Sequence, residues 1–167
     1  CYSMVTFEES NMIFSFPDEN VYRIEKSPLL AEVQLKATEC VVRKQDIILF
    51  IEAKSSTPRP QTEDKFVKFI GEITDKFAHS LTFYHAAILR HGGENMPKNL
   101  KEVNLSDVHY SFVLVIYGHK IEWLPPLMDA LRSSLRNTLK LWNIPDVAVK
   151  VMNERMALDS KIIARYT

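Results

Sequence analysis

Apolar stretches separated by polar turns divide the chain into strands and helices. ATECVV and IILFIEAK lie on either side of the polar turn at residues 43–46, which predicts a β-hairpin over residues 37–54. The second stretch is apolar at both odd and even positions, a pattern typical of a central strand covered on both faces. HYSFVLVIYG (residues 109–118) and VAVKV (residues 147–151) predict two further strands.

Apolar residues recurring at steps of three and four predict two helices. The first begins at Thr62, a suitable N-cap, and ends near Arg90, before the stop signal Gly92-Gly93. Its apolar stripe comprises Phe66, Ile70, Ile73, Phe77, Leu81, Tyr84 and Ile88. The second helix, residues 122–142, has prolines in its first turn, where a missing N–H costs little. Its stripe comprises Leu127, Leu131, Leu135, Leu139 and Trp142.

Residues 21–33, VYRIEKSPLLAEV, fit either one helix broken at Ser27-Pro28 or a short strand followed by a helix. The apolar residues among the first 20 and the last 16 positions show no clear helix or strand periodicity. A helix between two apolar strands implies a crossover connection. The pattern therefore predicts a single α/β domain over residues 1–167.

Composition narrows the function classes. The chain has 21 lysine and arginine residues and 21 aspartate and glutamate residues, so it has no net positive charge to attract nucleic acid or an anionic membrane. An anionic partner would need a local patch of positive charge. Two cysteines and no zinc-ligand spacing argue against a disulfide scaffold or a zinc site. Four glycines cannot build a Gly-rich phosphate loop of the P-loop or Rossmann type.

The chain gives no sign of a membrane location. No stretch reaches the roughly 18 apolar residues of a membrane span. The first 20 residues lack the basic start and apolar block of a secretory signal. A cytoplasmic protein is therefore the expectation.

Charged residues at the end of the second hairpin strand form the candidate site. Strand alternation places Phe50, Glu52 and Lys54 on one face. A turn centred on Lys44-Gln45 would pair Glu39 with Phe50 and bring Glu39 to that face, whereas an odd-numbered turn would break the alignment. Two carboxylates and an ammonium beside a buried strand are costly without partners. A shared hard cation such as Mg²⁺ would relieve that cost.

Glu39, followed after twelve residues by Glu52-Ala53-Lys54, resembles the PD-(D/E)xK nuclease, or restriction-endonuclease-like, superfamily. The resemblance implies a mixed central sheet flanked by helices. It also implies hydrolysis of phosphodiester bonds in nucleic acid with Mg²⁺ or Mn²⁺ as cofactor. DNA is the first expectation for the substrate and RNA the second. Glu39 and Glu52 would hold the metal, Lys54 would position the attacking water, and the Ala53 carbonyl could join the metal shell.

The chain departs from the family pattern in two places. Thr38-Glu39 stands where the family has Pro-Asp. An acid from an N-terminal helix often completes such sites, and Glu25 is the candidate here, with Glu32 second. The predicted site residues are thus catalytic Glu39, Glu52 and Lys54, and metal-binding Glu25, Glu39, Glu52 and Ala53.

The (D/E)xK spacing alone is weak, because Glu63/Lys65 and Asp159/Lys161 share it. Only Glu52/Lys54 follows an apolar strand, so context distinguishes this pair. Strand alternation would place Asp46 on the same face as Glu52, but Asp46 is expected to be a turn residue.

Other polar and aromatic residues are predicted to be structural. Residues 55–57 are expected to form a loop before Pro58, and His79 and His85 to lie on the helix surface. Arg132, Arg136 and Lys140 would form a solvated basic row. Trp123 and Trp142 are interpreted as packing anchors rather than base-stacking platforms.

Two functions therefore compete. The first is a metal-dependent nuclease, in which a homodimer could pair two sites to cut two strands. The second is a catalytically inactive, nuclease-like binding or assembly module, in which Glu52 and Lys54 form a structural ion pair.

Overall fold

A computed structural model describes residues 3–90 and 95–167. In these residues the strands are β1 (Met4–Glu9), β2 (Met12–Pro17), β3 (Val21–Tyr22), β4 (Cys40–Lys44), β5 (Ile47–Lys54), β6 (His109–Ile116), β7 (Val149–Asn153) and β8 (Arg165–Tyr166). The helices are α1 (Pro28–Glu32), α2 (Glu63–Leu89), α3 (Lys98–Lys101), α4 (Leu124–Ser134), α5 (Arg136–Trp142) and α6 (Glu154–Asp159).

The described strands form two sheets. A five-stranded sheet has the order β3-β4-β5-β6-β7, in which β3, β4 and β5 are antiparallel and β5, β6 and β7 are parallel. Helix α2 connects β5 to β6 and is the predicted crossover. A smaller antiparallel sheet has the order β1-β2-β8. The prediction of an α/β fold with a mixed sheet flanked by helices is confirmed at this level.

The five-stranded sheet is covered on both faces. On one face Ile48 and Phe50 of β5 join a core with side chains of α2, α4 and α5. On the other face Leu49 and Ile51 pack in a core with β1, β2 and α6. Strand β5 is therefore buried on both faces, as its unbroken apolar run predicts.

The hairpin register differs from the prediction. Lys44 pairs with Ile47, so the turn lies at Gln45-Asp46, one residue later than expected, and Val41 rather than Glu39 pairs with Phe50. Gln45 takes a φ of 55°, and the Arg43 side chain donates to its carbonyl at 2.7 Å, which holds the turn there. This change moves the pairing by two positions. Glu39 lies in a bend before Cys40, the first paired residue of β4, so it is outside the strand alternation on which the prediction relied.

Residues 21–33 follow the second of the two predicted alternatives. Strand β3 is followed by a single 3-10 turn over Ile24–Lys26 and then by α1. Pro28 opens this helix, and the Ser27 hydroxyl caps it by accepting from the Leu30 N–H at 3.3 Å. Ser27-Pro28 thus begins a helix instead of breaking one.

The two long predicted helices are confirmed, with changes at their ends. The Thr62 hydroxyl donates to the Arg59 carbonyl and makes no cap bond to α2. The predicted stop Gly92-Gly93 lies outside the described residues. The second helix starts at Leu124 and is divided at Leu135 into α4 and α5. The last predicted strand begins at Val149, because residues 146–148 form a 3-10 turn.

Candidate functional site

Glu52 lies in the core at the end of β5, paired with a lysine from the crossover helix. Its side chain is 0% exposed, and the Lys76 Nζ lies 2.5 Å from its Oε2. Burial raises the pKa of the Glu52 carboxyl, while the ammonium groups of Lys76 and Lys54 act in the opposite direction. The Glu52 Oε1 is also buried and has no hydrogen-bond partner among the described residues.

Glu39 stands directly before β4 and is held by the segment that precedes it. The Thr38 N–H donates to the Ser80 hydroxyl of α2 at 2.9 Å, and the two hydroxyls are 3.2 Å apart. Glu39 is 8% exposed, and its Oε2 has no hydrogen-bond partner among the described residues. Burial, with smaller contributions from Glu25 and Glu52, raises its pKa to about 9.

Two further carboxyls complete an acidic cluster. One oxygen from each of Glu9, Glu25 and Glu39 lies within 4.8 Å of the others. Arg23 donates to Glu9 at 3.3 Å and to Glu25 at 3.0 Å, which compensates part of the charge. The Glu25 carboxyl lies close enough to Glu39 to contribute to the raised pKa of Glu39, and it also accepts from Arg23.

Lys54 lies where two clefts meet. Its Nζ is 3.9 Å from the Glu52 Oε2, and its side chain is 35% exposed. A cleft of about 780 Å³ lies on one side and is lined by Glu9, Glu39, Ala53 and Lys54 together with the basic residues Arg59 and Lys65. A cleft of about 350 Å³ lies on the other side and includes Glu25, Lys54 and Lys76. Glu9, Glu25 and Glu39 thus border the two clefts, whereas Glu52 lines neither of them, and basic residues line the approach.

The arrangement has the composition of a site for a hard cation. Carboxylate oxygens are the ligands that Mg²⁺ prefers, and among the described residues the Glu39 Oε2 and the Glu52 Oε1 are buried without a donor. A buried acceptor without a partner costs about 1–3 kcal/mol, and a cation would remove that cost. Glu9, Glu25 and Glu39 are close enough together to share a divalent metal, whereas Glu52 lies outside this group and is paired with Lys76.

The structure brings the predicted site residues Glu25, Glu39, Glu52 and Lys54 together, with Ala53 in the wall of the larger cleft. The second candidate for the additional acid, Glu32, is exposed on α1. The alternative motif acids Glu63 and Asp159 are also exposed, and Asp46 lies in the hairpin turn. Of the three acids in a (D/E)xK sequence, Glu52 is thus the one that is buried.

Lys76, Glu9 and Arg23 were not predicted. The partial burial of Lys76 could have been detected in the sequence. Lys76 is the one charged residue in a second stripe of α2, whose members follow one another at alternating steps of four and three residues. The other members of this stripe are buried: Phe69, Ile73, Ser80, Phe83 and Ala87. Glu9 and Arg23 had no such signal, since their positions depend on how the small sheet packs.

Three structural predictions need correction. His85 is buried, with its Nδ1 2.7 Å from the Leu81 carbonyl and its ring packed on Trp142. Arg132 is a packing residue, because its guanidinium donates to the Val149 carbonyl at the start of β7. Trp123 is 45% exposed and does not anchor the core.

Comparisons with known proteins gave no family for the chain. No protein-family model, no curated protein and no solved structure matches it. Among the described residues, the helices are all too short or too polar to span a bilayer.

Proposed function

We propose that the chain has a restriction-endonuclease-like core and hydrolyses phosphodiester bonds of nucleic acid, DNA in the first instance, with Mg²⁺ or Mn²⁺. One observation carries this proposal. Among the described residues, the Glu39 Oε2 and the Glu52 Oε1 are buried acceptors without hydrogen-bond partners, and the other Glu52 oxygen lies 3.9 Å from the Lys54 Nζ. An ordinary structural ion pair would satisfy such atoms.

In this proposal Glu9, Glu25 and Glu39 hold the cation, Glu52 joins them once its carboxylate leaves Lys76, and the Ala53 carbonyl is available to complete the shell. A bound cation of this kind polarises a phosphate oxygen and lowers the pKa of an attacking water. Lys54 donates hydrogen bonds to the phosphate or the water from the mouth of the cleft. Arg59 and Lys65 line the same cleft and attract the polynucleotide backbone, which offsets the neutral charge of the whole chain.

The second candidate function is a non-catalytic binding or assembly module. The contact of 2.5 Å between Lys76 and Glu52 favours it, because this ion pair partly compensates the buried charge without a metal. Arg23 does the same for Glu9 and Glu25. In this case the acidic cluster stabilises the fold, and a divalent cation adds nothing specific.

A cleavage assay separates the two functions. Single-stranded DNA, double-stranded DNA and RNA are each incubated with Mg²⁺, Mn²⁺ or EDTA. We expect cleavage with the metals and none with EDTA, and a loss of at least about 100-fold in Glu52→Gln and Lys54→Ala, typical of lost acid–base or metal residues. Glu63→Gln and Lys68→Ala, at exposed positions of α2, should cut as the wild type does. If none of the three substrates is cut by a folded wild type, the nuclease proposal is wrong.

A further inference from the structure

The loop after β6 presents an exposed tryptophan beside the candidate site. Trp123 is 45% exposed, and its neighbour Ile121 is 64% exposed. The Lys120 Nζ lies 5.1 Å from the centre of the Trp123 ring. The loop thus exposes an aromatic ring with a cation beside it, a combination suited to contact with a planar, negatively charged ligand.

The loop is attached to the strand that carries Lys54. The Tyr117 N–H donates to the Lys54 carbonyl at 2.8 Å, directly after the paired ends of β5 and β6. The Thr57 hydroxyl, which lines the larger cleft, lies 3.1 Å from the His119 Nε2. The His119 ring in turn contacts the Trp123 ring, with 5.2 Å between centroids. A continuous series of contacts thus joins the cleft to Trp123.

The loop is also held from the side of β7. The Asn153 side chain donates to the His119 carbonyl at 3.0 Å, and the Gly118 N–H donates to the Glu154 carboxylate at 3.0 Å. Gly118 has a φ of +76°, which favours glycine at this turn. The loop is therefore anchored at several points, so Trp123 is presented in one orientation with little ordering cost on binding.

We infer that Trp123 and Lys120 form a stacking platform for an unpaired nucleobase, so that the substrate is single-stranded, or carries an unpaired nucleotide, next to the bond that is cut. This inference rests on the proposed nuclease function. Aromatic side chains stack on any base, and a neighbouring lysine can pair with the phosphate that follows. A base within a duplex is already stacked on its neighbours and cannot use the platform without being extruded.

A nucleobase fits this surface better than an apolar protein partner. Lys120 lies over the Trp123 ring, and charged residues are depleted from the centres of protein interfaces. The surface is also continuous, through Thr57, with a cleft lined by Lys54, Arg59 and Lys65. One polynucleotide could therefore place its backbone on the cleft and a base on the platform.

A binding experiment tests the platform. The affinities of wild type, Trp123→Ala and Trp123→Phe are measured for labelled single-stranded DNA, RNA of the same sequence and blunt double-stranded DNA. Ca²⁺ replaces Mg²⁺ because it also takes carboxylate ligands. We expect Trp123→Ala to bind single strands about 10-fold more weakly and the duplex within about 2-fold of wild type, while Trp123→Phe retains most of the affinity. Whether RNA or DNA shows the larger loss identifies the sugar preference.

The control is Leu141→Ala, which removes another exposed apolar side chain, 82% exposed on α5, and should leave all three affinities unchanged. Equal affinity of wild type and Trp123→Ala for single strands, or an equal loss for single strands and duplex, would overturn the platform. If the wild type still cuts nucleic acid in that case, the nuclease proposal stands without it. If the wild type neither binds nor cuts any of the three, both proposals fail, and a protein partner on Trp123 becomes the better explanation.

Discussion

At the scale of single residues, Glu39 has the most altered acid–base chemistry in the site. Its carboxyl is buried beside Glu25 and Glu52, and its pKa is raised from 4.5 to about 9. At neutral pH the metal-free protein therefore holds a proton on Glu39 that the unfolded chain releases. Because the folded state binds the extra proton, the stability that it provides is present below pH 4.5 and is lost as the pH rises through 9.

The pH dependence of unfolding tests this protonation. With EDTA present, we expect Glu39 to contribute a fall in the free energy of unfolding between about pH 5 and pH 9, with a slope of at most about 1.4 kcal/mol per pH unit. Glu39→Gln has no such proton to lose, so its stability should vary less over this range and exceed that of wild type near pH 9. Urea denaturation at several pH values measures the difference.

Glu8→Gln is the matched control, because Glu8 is exposed on β1. Its pH profile should follow that of wild type. If Glu39→Gln also follows the wild-type slope, Glu39 is ionised at neutral pH, and its raised pKa is contradicted.

At the scale of secondary structure, the elements that bury one continuous apolar pattern could be predicted from the sequence. Strand β5 and helix α2 are examples, since their burial depends mainly on their own periodicity. The hairpin turn was misplaced by one residue, because Gln45 adopts a left-handed conformation that its type does not announce. Glu39 lies before the first paired residue of β4, so its position beside Glu9 and Glu25 depends on tertiary packing rather than on strand parity.

The ion pair between Lys76 of α2 and Glu52 of β5 could not be predicted from the sequence, because it depends on how the helix lies across the sheet. Removing Lys76 alone leaves the Glu52 carboxylate buried beside only the more distant Lys54. We expect Lys76→Met to lower the free energy of unfolding by about 3–5 kcal/mol, the usual cost of an uncompensated buried charge. Adding Glu52→Met should recover most of that loss, because apolar side chains of similar volume replace the pair. Urea denaturation of the two single variants and the double variant gives the coupling energy.

Lys68→Met, at an exposed position of the same helix, should stay within about 0.5 kcal/mol of wild type. If Lys76→Met is equally mild, the ion pair contributes little to folding. Lys76 would then be free to leave Glu52 when a cation binds.

At the scale of the whole molecule, the site depends on the packing of two sheets. The small sheet supplies Glu9, and the five-stranded sheet and its connections supply Glu25, Glu39 and Glu52. This arrangement is hardly visible in the sequence, because β8 pairs with β2 from the other end of the chain and both strands are short. Long-range pairing of this kind leaves no local period, so the complete acidic cluster became visible only in three dimensions.

Since the ligands come from segments far apart in the chain, a cation bound there should stabilise the folded state as a whole. At about 100 times its Kd, Mn²⁺ would contribute about 2.7 kcal/mol, which for a chain of this length corresponds to a rise in Tm of roughly 5–10 °C. Glu52→Gln should lose most of this rise, whereas Asp159→Asn, which removes an exposed acid of the third (D/E)xK sequence, should keep it. Thermal unfolding with increasing Mn²⁺ or Mg²⁺ measures the effect. A Tm that does not move in wild type, or that moves equally in all three proteins, would mean that no specific cation occupies the cluster, and would favour the ion pairs of Lys76 and Arg23 as its purpose.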